Sequence, residues 1–472
     1  MLDRRGDSRR QISAWNREIA RCLCIGSKHM IQAMLAGVSS IEAQQTEMNV
    51  IGNNLANINT TAFKSSNVTF QDLIEQQIKG AQAPTATSGG TNPEQYGLGV
   101  QIAGTEINNS QGSLSATNVP SDLAIQGNGY FMVGNGSEVS YTRDGSFDLD
   151  ATGNLVQGST GQTLLGWTAS PTGAINTTTP VSASSTISIP LGELNAVQQT
   201  SQISFGGNLD SAATQAGSTA ATTWSMQSTV YDSLGGAHNI TITFNNPQLV
   251  TGATVPTPPA GATSSWDWSA SEDINGVATT VGGDNPASPA GNLPIYFSAN
   301  GTEISGLATG TFNQIDLPAT GAAPAFNINL DFSSIGQLSA QSSVAASNQN
   351  GFPPGSLQSY SVGNDGTITG LFTNGLTRPL GQIAMAIFPN PDGLQESGSD
   401  LYQATDNSGI PVIGQPASGG RGAISAGYLE QSNVDISTEF SDLIITQRGF
   451  EANTKVVTTV DQMLQDLIQM KN

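Results

Sequence analysis

Helical apolar periodicity stands at the two ends of the chain, and that placement restricts the fold more than any other feature. After Met30, the residues Ile31, Met34, Val38, Ile41, Met48 and Leu55 fall on alternating three- and four-residue steps, with Gln45 and Gly52 at the two missing positions. Near the C-terminus Ile436, Phe440, Leu443, Phe450, Val457, Leu464 and Ile468 keep the same steps, interrupted by Gln447, Thr454 and Asp461. This spacing lines apolar side chains along one helix face, as in a coiled-coil seam. Ser432 with Asp435 three residues later predicts a capping box opening the second helix. A chain that leaves along one helix and returns along another encloses everything between, so the expected architecture is nested. The helices either pair simply to seal a domain or also turn their stripes toward other copies. Polar gaps weaken an isolated pair, so the second reading has the ends ordering on assembly.

Between the ends the pattern is β. Residues 121–156 alternate apolar and polar positions between turn signals at Gly127-Asn128-Gly129, Asp144-Gly145 and Thr152-Gly153-Asn154. Residues 228–244 read as two strands around Gly235-Gly236, and 295–306 as a hairpin on Asn300-Gly301; further strands are expected in 361–375 and 380–388. Stretches rich in Pro, Gly and Ala at 79–95, 251–265 and 282–292 read as a connector and two exposed loops. The expected fold is therefore mainly β with α-helical termini. Residues 30–58 and 432–472 pair as a coiled-coil-like inner domain, and 59–97 connect. Residues 98–170 with 353–427 form a first β domain, and 171–352 form a second, inserted and facing outward.

The formal charge of −21 is unevenly distributed. Residues 1–29 hold seven of the fifteen basic residues against three acids, leaving eight basic and thirty-three acidic residues after them, a net of −25. Such a surface repels nucleic acid and anionic lipid. Both cysteines, Cys22 and Cys24, also precede Met30, so the body offers no thiol nucleophile, disulfide or Cys-ligated metal. The segment "DSRRQIS" resembles only the opening of a twin-arginine signal, for no continuous apolar run follows it. The expectation is that translation starts at Met30 and that 1–29 is an upstream-start leader.

Chemistry finds little support. His29 lies in the leader, and His238 beside a Gly-Gly turn reads as a surface residue. "DLDATGN" at 148–154 opens like a calcium loop, but Thr152 replaces an acidic ligand and Ser159 the closing glutamate, so a hairpin turn accounts for it. Gly127 and Gly129 begin a dinucleotide pattern that Met132 breaks. No catalytic residue, cofactor or metal site is expected.

Three segments carry a resemblance. "VIGNNLANINTTAFKSSNVTFQDL" (50–73), "GSLSATNVPSDLAIQGNGYFMV" (112–133) and residues 432–468 resemble the flagellar rod-and-hook family of axial proteins. Asn53, Asn54, Asn57, Asn59, Thr60, Phe63 and Lys64 match its N-terminal signature, and Gln447, Arg448, Gly449 and Phe450 its closing helix. Ala62 departs, since glycine is usual before the aromatic, which bears on whether a positive-φ turn forms there. The insertion of about 180 residues between Trp167 and Phe352, with segments 228–244 and 380–411, is similar to the hook branch rather than the shorter rod members. The resemblance implies a helical homopolymer that joins rod to filament and transmits torque as a universal joint. It implies partners in further copies, rod and hook–filament junction proteins, a hook cap and the type III export apparatus. It also implies an extracellular place in the flagellum, reached without a cleaved signal peptide, with no cofactor, nucleic acid or membrane insertion. Some relatives cross-link through a cysteine; the cysteine-free body argues against it here. A distal rod subunit and a secreted β-rich adhesin remain as alternatives. Asn57 and Asn59 are expected to cap carbonyls or turn the chain. Asn53 and Asn54 either bond neighbouring subunits or are solvated amides at a helix end. Phe63 should anchor by burial, and Lys64 should be a surface or paired charge.

Overall fold

The computed structural model describes residues 4–85, 89–190, 196–215, 220–250, 258–274, 277–281, 293–304 and 314–470, and the side chains of the first helix from Met30. Helix α1 spans Arg4–Ala56 and helix α2 spans Ile436–Met470. The first helix thus does not begin near residue 30 as expected. No proline occurs before Pro84, so nothing interrupts the backbone ladder between the leader and the body. The helix closes where asparagines gather. Asn57 N–H donates to Asn53 O at 3.1 Å, and the Asn57 side chain donates to the same carbonyl at 3.0 Å. Ala62 then takes a left-handed φ of 61° without being glycine, and its N–H donates to Glu430 O at 2.8 Å. The turn forms despite the alanine. Asp435, not Ser432, caps α2: its carboxylate accepts from Ser437 N at 2.8 Å, while Ser432 Oγ accepts from Val434 N at 3.4 Å.

The region expected to be a plain connector contains strands. Ser66–Asp72 pairs antiparallel with Val100–Ile107, and Glu75–Lys79 with Glu94–Gly97. The first pair packs on α1, where Gly99 (φ 125°) comes so close to Ser39 that a Cβ would collide. Weak alternation in a Ser-, Thr- and Gln-rich segment hides these strands, because four of seven residues of Ser66–Asp72 and all five of Glu75–Lys79 face solvent.

Beyond them, strands from both flanks of the long insertion share sheets. Tyr130–Gly134 and Val139–Thr142 form a hairpin, and the returning chain adds Met385–Ile387 beside the first and Leu401–Gln403 beside the second. Gly166–Thr168 pairs with Thr377–Ile383 in a second sheet. Leu123, Ile125, Phe131, Phe147, Ile368 and Ile383 fill the core between them. "DLDATGN" is a tight turn whose Asp150 carboxylate accepts from the Thr152 and Asn154 backbone, both at 2.8 Å.

A separate core is built wholly from residues between 203 and 344. Here His238, Ile240, Ile242 and Phe244 point inward at period two along Ala237–Leu249. They meet Trp266 and Trp268 from the neighbouring strand of the same sheet and Phe332 from the second sheet. Each fully buried phenylalanine contributes roughly 2 kcal/mol of burial. The second sheet of this body carries a parallel pair, Gln202–Asp210 with Phe326–Leu338. The loop at 282–292 lies outside the described residues, as does 251–257 of the other; the remainder of the latter enters the strand Ala262–Ile274.

Candidate assembly interface

The two helices pack antiparallel, with Gly37 against Val457, Gln44 against Gly449 and Asn453, and Asn54 against Glu439. Burial along α2 recurs at Glu439, Leu443, Thr446, Phe450, Asn453, Val457, Val460, Leu464 and Leu467, an unbroken four–three alternation. This seam shares Leu443, Phe450, Val457 and Leu464 with the stripe read from sequence and is shifted by one residue elsewhere. The polar interruptions at Gln447, Thr454 and Asp461 are therefore not seam positions. On α1 the contacts fall at Gly37, Ser40, Gln44 and Asn54, again one residue from the expected stripe. One residue is 100° of rotation. The cause is compositional: the contacts on α1 at Gly37, Ser40, Gln44 and Asn54 are small or polar, while α2 answers with Leu443, Phe450, Val457, Val460, Leu464 and Leu467, so apolar counting alone does not fix the rotation.

The same offset leaves apolar side chains outside the pair. On α1 Ile31 and Val38 are exposed, whereas Met34, Ile41, Met48 and Leu55 are half-buried. On α2 Ile436, Phe440 and Ile468 are exposed, together with Ile444, Ile445, Val456 and Met463; Phe440 keeps 47% of its surface and Ile445 68%. Contiguous exposed apolar surface of this kind marks an interaction face.

Where the helices meet the β body, the signature residues are tied down. Lys64 is buried and donates to Glu430 Oε1 at 2.5 Å and to Ser110 O at 2.8 Å. Arg143 approaches the other Glu430 oxygen at 3.3 Å and donates to Gly127 O at 2.8 Å; Gly112 N–H donates to Glu430 Oε1 at 2.9 Å. Burial pushes the Lys64 ammonium below its usual range, and Glu430 opposes that shift. Asn54 donates to Ser66 O at 2.9 Å and accepts from Ser66 N at 3.0 Å, so it is a buried joint within the chain and not a solvated amide. Asn53 and Asn59 are exposed, Asn57, Thr60 and Phe63 half-buried. Gln447 and Arg448 face outward, while Gly449 lies against Gln44. Sequence reading missed Glu430 and Arg143 entirely; a lone acid and a lone base far apart in the chain carry no local signal.

Family models match in chain order: flagella basal body rod protein at 34–64, the flagellar hook protein FlgE/F/G D1 domain at 124–207, the flagellar basal body protein FlaE D2 domain at 208–352, and the flagellar basal body rod FlgEFG protein C-terminal at 425–470. The flagellar hook protein FlgE of Borreliella burgdorferi is 35% identical over 94% of this chain and 100% of its own. The chain belongs to the flagellar hook protein family. The Escherichia coli flagellar hook protein FlgE is 32% identical over 93% of this chain and 100% of its own. A solved Helicobacter pylori flagellar hook protein FlgE2 aligns with a TM-score of 0.46 at 14% identity, over 67% of this chain and all of its own. This is a structural family of the flagellum, and its models and members include both rod and hook proteins.

His238 is not the surface residue expected from its Gly-Gly neighbourhood. It is buried, with Nδ1 2.5 Å from Glu272 Oε1 and Nε2 3.3 Å from Asp232 Oδ2. Burial works to raise the Asp232 carboxyl, but the N–H groups of Gly236 and Leu234, with His238, hold it below the ordinary value. The trio is a polar joint inside the 203–344 core. Among the described residues no group of three or more His, Cys, Asp or Glu could hold a metal ion, and no helix is long and apolar enough to cross a membrane.

Proposed function

We propose that this chain is a structural subunit of the flagellar hook, a tubular polymer that joins rod to filament and transmits torque as a universal joint. The observation that carries the reading is the apolar surface left uncovered on both helices after they pair with one another. In this reading 30–58 and 432–472 line the tube, and 98–170 with 353–427 form the first β domain. Residues 171–352 form the outer domain, which slides past its neighbours as the tube bends. The chain performs no chemistry of its own. Its contacts beyond further copies are with rod and hook–filament junction proteins, the cap and the type III export apparatus, with export proceeding without a cleaved signal peptide to the extracellular hook. The insertion argues against a short rod subunit. An adhesin would keep its function without terminal helices, whereas a polymer subunit would not.

Negative-stain microscopy of the concentrated full chain beside its Phe440→Asp variant tests this. Phe440 is exposed in the single chain, so the substitution should leave both β bodies folded and abolish tubes. Tubes of ordinary yield and diameter from the variant would sink the assembly face, and so would a variant lacking both terminal helices that still polymerised.

A further inference from the structure

The seam between α1 and α2 is built unlike the surfaces the helices leave exposed. Asn453 donates its amide to Ser40 Oγ at 2.6 Å and to Gln44 Oε1 at 3.2 Å. About three to four turns away along α1, Asn54 donates to Glu439 Oε1 at 3.0 Å while both its polar atoms are also held by the Ser66 backbone. Two glycines lie in the same seam. A Cβ on Gly37 would meet Val457 Cγ2 at 3.2 Å, and one on Gly449 would run into the Gln44 amide. These contacts hold in one alignment alone. Sliding α2 by one heptad would put Val460 or Thr446 opposite Ser40 and Gln44, and Leu464 or Phe450 against Gly37. Glu439 would lose its amide donor inside the pair.

We infer that Asn453 and Asn54 are register-setting residues: two polar pins that fix the alignment of the terminal helices and so decide how the outward apolar side chains of one helix are placed along the axis relative to those of the other. An apolar seam would hold the helices at least as tightly, but heptad-spaced aliphatic contacts tolerate a slip of seven residues, whereas a buried polar residue at one seam position specifies register at a cost in stability. The inference deepens the assembly reading, and rests on it only for what the outer surfaces meet.

Disulfide trapping in the full chain, with Cys22 and Cys24 replaced by serine, reads the register directly. Gly37→Cys with Val457→Cys reports the observed alignment, and Gly37→Cys with Leu464→Cys reports a one-heptad slip. Intramolecular cross-links are scored in both the soluble and the sedimented fraction. With the pins intact the first pair should dominate. In the double variant Asn453→Leu/Asn54→Leu the ratio of native to slipped cross-link should fall about tenfold or more, as expected for the loss of one or two hydrogen bonds' worth of preference. Far-UV circular dichroism should show helix content retained. An unchanged ratio overturns the inference. So does loss of helix in the leucine variant, because pins that trade stability for register cannot be what holds the pair together. No Gly37/Val457 cross-link in either fraction also overturns it. Correct cross-linking without any sedimenting polymer would leave the register pins standing and count against the assembly reading instead.

Discussion

Replacing Lys64 by methionine probes whether the signature motif locks the helices to the β body. The Glu430 carboxylate is fully buried and accepts from Lys64, Gly112 N–H and, at 3.3 Å, Arg143. Methionine preserves the aliphatic volume but deletes the ammonium, leaving a buried carboxylate with one distant cation. Breaking a buried pair by removing one partner costs about 3–5 kcal/mol, and the surviving Arg143 contact places this case near 3. For a β body of this size that is a melting-point drop of roughly 6–12 °C. Differential scanning calorimetry of the full chain should show it in one transition alone, because the 203–344 core contains none of these residues. Tryptophan emission identifies the transitions: Trp224, Trp266 and Trp268 belong to that core, and Trp167 to the other body. Lys64→Met/Glu430→Met should cost no more than Lys64→Met, since the orphaned charge is gone. A drop below about 2 °C, equal movement of both transitions, or strict additivity in the double variant would refute the reasoning.

Two further perturbations separate the remaining joints. Asp400 sits at a left-handed φ of 57°, and burial, with Asp144 and Glu396 nearby, raises its carboxyl to about 6. A folded value above the unfolded one means that this contribution to stability is fully present below about pH 3.9 and is lost as pH rises through about 6. Asp400→Asn should therefore gain roughly 1 kcal/mol at pH 7.5, discounted for the carboxyl's partial exposure, and urea midpoints should show the gain vanish by pH 4. A gain independent of pH would refute it. His238→Ala should leave the buried Glu272 carboxylate without its partner, while Asp232 keeps the Leu234 and Gly236 N–H groups, and should cost about 3 kcal/mol in the tryptophan-monitored urea transition of the 203–344 body. Tube formation at low temperature should be unchanged, and a matching loss in the other body would show the joint is not local.

The β content, the turns at Asp150 and Gly235, the two helices and the nesting they impose could be read from the chain alone. Each rests on local physics: a period of two or of three and four, glycine at positive φ, a side chain that caps its own backbone. The strands at 66–72 and 75–79 escaped because the first is more than half exposed and the second exposed throughout, so neither carries much periodic contrast. Helix existence was local information, but helix rotation was not. A stripe shifted by one residue scores almost as well on apolarity, and the real seam is chosen by what α1 offers at Ser40, Gln44 and Asn54, some four hundred residues from their partners. The same separation hid Lys64 from Glu430, 366 residues apart; His238 looked exposed although its partners Asp232 and Glu272 are only 6 and 34 residues away. Charges and amides have no period, so only the folded chain could decide which of them would be buried together.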